Sequence, residues 1–291
     1  MPSLKDLRGR IRSVQNTKQI TKTMKMVAAA KVRRARTRCE EARPYAEKLN
    51  GVLVNLATNT PSEGGPLLLS GYSEVNTVRL VVVSADRGLC GGFNINLAKK
   101  VMIKIKELEA AGKKVELVMV GKKAYDIVKQ DYGSLVIEFI EDSGKNVSYA
   151  LAEEIGTKML LDYKAGKCQE VILFYNRFVN MITQEPMSQY LAPFKVDALA
   201  DKETEVASSV EYEPEEEEIL NALLPRNVNV QLLNAMLESG AAEQAARMTA
   251  MENATTNASD MISKLSLQYN RSRQAAITTE LTEIVAGAEA V

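Results

Sequence analysis

Leu4, Leu7, Ile11 and Val14 step along the chain by three and four, the spacing of a coiled-coil seam. The apolar stripe then slips by one residue to Ile20, Met24 and Val27, beside Ala28, Ala29 and Ala30. Such a slip alters the supercoil locally without ending the helix. From Ser3 to about Ala57 the chain is rich in Lys, Arg, Ala, Met and Glu, all good helix formers. Pro44 is expected to bend this helix or mark a weak point.

The period then changes. Residues 60–75 hold Pro61, Gly64, Gly65, Pro66 and Gly71 and read as a loop or linker. Val78–Val83 is a short β-branched run fit for a buried strand. Further strands are expected at Val115–Val120, Leu135–Ile140 and Val171–Tyr175, with Val179–Thr183 as a hairpin partner of the last. Amphipathic stretches at Asn94–Ala111, Lys123–Asp131 and Val147–Lys164 separate them. This alternation predicts a small Rossmann-like, mostly parallel α/β domain.

Pro214 followed by four Glu marks a helix start, because carboxylates favour the positive end of the helix dipole. Pro225 is expected to interrupt, after which a long helix begins. Within it Met248, Met251, Thr255, Ala258, Ile262, Leu265, Tyr269, Ser272, Ala276 and Thr279 step 3,4 without a break. These modest side chains predict a thin, close-packed helix pair, to which Met24, Met26, Met236, Met248, Met251 and Met261 would contribute packing. After Ala276 the apolar positions become Ile277, Leu281, Ile284 and Val285, on a different face. An apolar face turned off its mate needs a new neighbour, so the helix is expected to outrun its partner and enter an apolar sleeve in another protein.

A 60-residue helix is roughly 90 Å long, whereas a compact chain of this length is only about 50 Å across. The economical solution is an antiparallel coiled coil of the two chain ends with an α/β domain between them. The expected fold is α/β, divided as 1–59 N-terminal helix, 60–75 linker, 76–196 α/β domain, 197–226 acidic segment with a short helix, and 227–291 C-terminal helix.

Composition removes several chemistries. The 291 residues include no His and no Trp, so no imidazole base or Ser-His-Asp system is available. Cys39, Cys90 and Cys168 lack zinc-site spacing and read as thiols of a reducing compartment. The 37 Lys+Arg balance the 37 Asp+Glu, but unevenly. Residues 1–38 hold 12 Lys/Arg and one Asp, a net of +11, and residues 197–218 hold ten acidic residues and one Lys, a net of −9. Segregated charge implies different surfaces for different partners. The start MPSLKDLRGRIRSVQ lacks a signal's apolar core and no run is long enough to span a bilayer, so membrane association is expected only through a partner.

Asp86-Arg87-Gly88-Leu89-Cys90-Gly91-Gly92-Phe93-Asn94 sits at a strand-to-helix turn, where dinucleotide folds hold pyrophosphate. Its GxxGG spacing is neither the dinucleotide fingerprint nor a phosphate loop, so the glycines read as turn formers. Cys90 beside Arg87 is a candidate low-pKa thiol without a resolving partner. The basic first helix is a candidate for nucleic acid, but its charges surround an apolar seam and no aromatic precedes Tyr45, which favours a partner-facing surface. Glu215–Glu218 reads as a helix start in preference to a metal site. A dinucleotide enzyme and a nucleic-acid-binding coiled coil are the competing classes.

Three motifs resemble one family, the γ subunit of bacterial-type F-type ATP synthase. They are Ile11–Thr17 (IRSVQNT) with Ile20–Ala29 (ITKTMKMVAA), Asp86–Asn94 (DRGLCGGFN), and Tyr269–Ile284 (YNRSRQAAITTELTEI) through Gly287-Ala288. Tyr212-Glu213-Pro214 and Leu223-Leu224-Pro225-Arg226 also fit its pattern, and the cysteine-bearing insert of the chloroplast version is missing. The resemblance implies a central rotor shaft that makes or breaks no bond itself and carries no cofactor or metal. It implies a ring of three α and three β subunits around the coiled coil, contacted by Met24, Arg273, Gln274, Ile277, Leu281 and Ile284. The matching Arg-Gln pair resembles a catch on a loop of one β subunit; on the heptad count both point off the seam. Tyr212 and Glu213 would meet the ε subunit and the c-subunit ring at the foot. No nucleic acid is implied. A species-specific inhibitory subunit fits the same setting, as does a peripheral place on the cytoplasmic face of the bacterial inner membrane, reached through the c ring.

Overall fold

A computed structural model describes residues 3–59, 65–141, 144, 147–195 and 216–289. The chain forms two compact units, residues 1–29 with 247–291, and residues 30–246. Its order is α1 (Leu4–Asn59), α2 (Leu67–Ser70), β1 (Thr77–Val83), α3 (Phe93–Ala110), β2 (Lys114–Val120), α4 (Lys122–Tyr132), β3 (Val136–Ile140), α5 (Tyr149–Lys164), β4 (Glu170–Phe178), β5 (Gln184–Ala192) and α6 (Glu216–Glu289).

In the first unit α1 and α6 pack together antiparallel. Arg8 donates to the Tyr269 hydroxyl at 2.7 Å, Thr255 to the Thr21 hydroxyl at 2.8 Å, and Lys25 pairs with Glu252. Ser3 opens α1: its hydroxyl accepts from the Asp6 amide while the Asp6 carboxylate accepts from the Ser3 amide, a reciprocal cap. The α1 seam is continuous, through Leu4, Leu7, Ile11, Val14, Lys18, Thr21, Lys25 and Ala28, all buried or half-buried. The expected slip does not occur. Ile20 and Val27 are 59% and 51% exposed and Met26 is exposed as well, while Met24 is half-buried beside Lys25. Thr21 and Lys25 hold the seam here because they find Thr255 and Glu252 across it, leaving Ile20 and Val27 outside. On α6, Met251 and Ala258 are buried and Thr255, Ile262, Leu265, Tyr269, Ser272 and Ala276 half-buried, as their spacing predicts. Thr279 lies exposed past the seam's end, and Met261 is exposed too.

The second unit is a five-stranded sheet in the order β3-β2-β1-β4-β5, parallel except for β5. From Val78 on, β1 is apolar except at Arg79, as suits a strand covered on both faces. Leu80, Val82, Leu117 and Met119 face α3 and α4 through Leu97, Val101, Ile105 and Val128. Val81, Val83, Val118 and Leu173 share the opposite core with α5, with Leu53 and Leu56 of α1, and with Leu224, Val228 and Leu232 of α6.

Two expectations fail in this unit. Val179–Thr183 is the turn of the hairpin and not its second strand: the Asn180 carboxamide oxygen accepts from the amides of Ile182 and Thr183, and β5 begins at Gln184. Pro225 does not end a helix, since α6 runs through it. A proline inside a helix costs about 3 kcal/mol. Burial of Leu220, Leu224 and Val228 around it offsets that cost, at roughly 1.5–3 kcal/mol for each large apolar side chain. α1 likewise continues through Pro44.

Candidate functional site

The sheet order reverses direction between β1 and β4, so a crevice would open beyond their carboxyl ends, where dinucleotide folds bind ligand. The Asp86–Asn94 turn lies there, between β1 and α3. Leu89 (φ 63°) and Gly91 (φ 58°) take left-handed backbone, so the turn is tight and Leu89 is thrown outward, 64% exposed. Asn94 locks the turn, accepting from the Ala85 amide at 3.1 Å and donating to Cys90 Sγ at 3.2 Å. Asn176 of β4 donates to the Phe93 carbonyl.

What fills the space is protein. Ala85, Cys90 and Phe93 pack on Ala242 and Ala246 of α6, with Phe178 at the side. The helix start of α4 is met by the chain's own carboxylate: Asp86 accepts from the Lys122 amide at 3.2 Å and from the Gly144 amide at 3.2 Å. The glycine-rich turn is thus a seat for α6. Cys90 is buried in that contact. Cys39 and Cys168 are buried too, and burial pushes both thiols up to about 11, so neither is a ready nucleophile. None of the three is in a disulfide, and no cluster of metal-ligating side chains occurs among the described residues.

The remaining candidate surface is on the first unit. Beyond Ala276 every described α6 side chain is exposed, including Arg273 and Gln274 just before it. Ile277, Leu281, Ile284 and Val285 form an uncovered apolar face, with Ile284 67% exposed. The cause is local: α1 starts at Leu4 and its Arg8 already reaches Tyr269, and among the described residues no other side chain covers α6 past Ala276. Met24, beside Lys25 and so level with Glu252, lies roughly six helical turns along α6 from Arg273 and is not brought beside these residues. Tyr212, Glu213, Pro214 and the acidic stretch lie outside the described residues apart from the start of α6. Lys5, Arg10, Arg12 and Lys22 are exposed along α1 and in no ion pair among the described residues. Sequence reasoning missed the outward stripe of Ile20, Met26 and Val27. A strict continuation of the 3,4 count from Leu4, tolerating polar seam residues, would have found it.

Comparison with known proteins agrees with this architecture. A family model described as ATP synthase matches residues 3–291. The chain is 49% identical to the ATP synthase gamma chain of Ruegeria sp. (strain TM1040), over all of both chains, and 44% identical to that of Pelagibacter ubique, again over the whole of each. Among solved structures it resembles a chain of the Tetrahymena thermophila mitochondrial ATP synthase central stalk and c-ring, with a TM-score of 0.59 and 28% identity over 81% of this chain and 99% of that one. A chain of the Euglena gracilis mitochondrial enzyme shares the fold at a TM-score of 0.69 and 21% identity, covering 99% of this chain and 94% of the other. Terminal helices that pair with each other, together with a largely parallel five-stranded sheet, are therefore the architecture of an ATP synthase central-stalk protein. The chain belongs to the ATP synthase γ-chain family.

Proposed function

We propose that this subunit is the central rotor shaft of a proton-driven F-type ATP synthase, turning with the c ring and driving the β-subunit sites through successive affinities. One observation carries the reading: α6 runs on past the end of α1 as a bare helix with an apolar face, preceded by exposed Arg273 and Gln274. Such a face needs a sleeve. A ring of three α and three β subunits supplies one, and Met24, Ile277, Leu281 and Ile284 are the proposed contacts with it. Tyr212 and Glu213 are the proposed contacts with ε and the c ring. The shaft makes no bond itself and carries no cofactor; the crevice where a nucleotide would sit is occupied by Ala242 and Ala246. No described helix is long and apolar enough to cross a membrane, and the proposed location is the cytoplasmic face of the bacterial inner membrane, held through the c ring.

Force passes only where shaft and ring interact differently in different states. Arg273 offers a planar fork of charged donors suited to a carboxylate-bearing loop of β, with Gln274 beside it. Hydrogen bonds to charged groups contribute roughly 1.5–3 kcal/mol, enough to bias one ring state tenfold or more. Arg273→Ala with Gln274→Ala should leave the complex assembled and single-site nucleotide binding intact while slowing multi-site turnover and synthesis about tenfold. Wild-type steady-state turnover in the assembled double mutant would show that these residues are not the catch.

A further inference from the structure

Within the second unit a cavity of about 290 Å³ opens between α1, α6 and the start of α5. Its floor is apolar: Ala46 and Val230 are buried, and Leu233 forms a side wall. The rim is aromatic, with exposed Tyr45 and Tyr149. One charge lines it, Arg226, whose guanidinium lies over the Tyr45 ring at 5.8 Å from the centroid. Arg226 is in no ion pair among the described residues. The cavity exists because α1 presents alanines at 42 and 46, one turn apart, where larger residues would close it.

We propose that this cavity is a binding site for a small amphipathic monocarboxylate, its apolar body on Ala46, Val230 and Leu233 and its carboxylate on Arg226. The chemistry follows from the lining. A pocket with mostly apolar walls and few polar groups orients a ligand through those few. A single guanidinium already stacked on an aromatic ring keeps its edge donors available, and a planar carboxylate matches that fork. One lining cation, in no ion pair among the described residues, balances one negative charge, so a nucleotide or polyphosphate would be left uncompensated. Size is set by the volume: a cavity of about 150 Å³ holds benzene, so this one takes roughly a dozen heavy atoms. The proposal is independent of how the shaft engages its ring.

The test uses the assembled complex and titrates 4-phenylbutyrate against its uncharged amide, 4-phenylbutanamide, by saturation-transfer NMR. The acid should bind about tenfold more tightly than the amide. Arg226→Gln should remove that preference, weakening the acid about tenfold and leaving the amide unchanged, and Arg226→Lys should fall between. Ala46→Leu, which fills the floor, should abolish binding of both; Leu233→Phe provides a second filling if the first lowers the unfolding midpoint. Equal binding of acid and amide, insensitivity to Arg226→Gln, or binding that survives both fillings would overturn the proposal. So would absence of binding to the complex, which would give the cavity to a side chain of a neighbouring subunit.

Discussion

Gly156 of α5 faces Asn229 of α6 so closely that a Cβ on the glycine would stand 2.0 Å from Asn229 Oδ1. That oxygen is buried and accepts no hydrogen bond among the described residues. Gly156→Ala should therefore destabilise the chain by about 1–3 kcal/mol, the range for overpacking. Asn229→Ala in the same chain should recover part of the loss in denaturant unfolding, and strict additivity of the two changes would show that they do not meet. Arg79 is the other residue of consequence, a charge 4% exposed in the centre of the sheet. Burial works against its charge, but hydrogen bonds to Glu116 and Asp162 outweigh that and raise its pKa. Asp162 is held below the usual carboxylate range by Lys167 and, against some burial, by Arg79. Burial would raise Glu116, yet hydrogen bonds from Arg79 and Lys114 bring it below its ordinary value. Carboxylates depressed in the folded state stabilise it above their unfolded pKa of about 4. That contribution is lost as pH falls through the lower folded value. The stability gap between wild type and Asp162→Asn should hold from pH 7 to about 4 and shrink below it; a gap unchanged down to pH 2 would discount the ion pair.

Elements whose buried positions are apolar were legible from sequence, and the others were not. β1, β2 and β4 are apolar runs covered on both faces, and α6 carries small or apolar residues at nearly every seam position. β5 was hidden because Gln184, Glu185, Pro186, Ser188 and Gln189 do not resemble a strand. As an edge strand paired only with β4 it tolerates a proline and a wet side. The α1 seam was misplaced because Lys18, Thr21 and Lys25 occupy it while Ile20 and Val27 do not. The candidate site was half legible: the change of apolar face after Ala276 was visible in the spacing, whereas the filling of the crevice by α6 depends on contacts between residues far apart in sequence. Lys25 and Glu252 test the seam directly. The pair is well exposed, so its worth is under about 1 kcal/mol. Lys25→Glu should nevertheless lower the helical melting midpoint by opposing two carboxylates, and the exchange Lys25→Glu with Glu252→Lys should restore it. A swap no better than the single change would place the two side chains apart.

At the scale of the whole chain, exposed apolar surface has accumulated where a lone subunit has no use for it. Ile20, Met26 and Val27 on α1 join Ile277, Leu281, Ile284 and Val285 on α6. The purified subunit by itself should self-associate, and sedimentation at rising concentration should show larger species that vanish when Ile277, Leu281 and Ile284 are changed to Gln. A stable monomer at high concentration would count against a surface built for partners.

The unbroken seam of α1 has a consequence for length. Because the count never changes phase between Leu4 and Ala28, a residue's bearing around the helix pair of the first unit follows from its number modulo seven. Ile20 and Val27, seven apart, share a bearing. One inserted residue would swing every later side chain by about 100°. A matched heptad added to both helices would keep all bearings and lengthen the pair by about 10.5 Å. Growth or shortening of these helices is thus quantised in sevens, and any other increment re-aims everything beyond it.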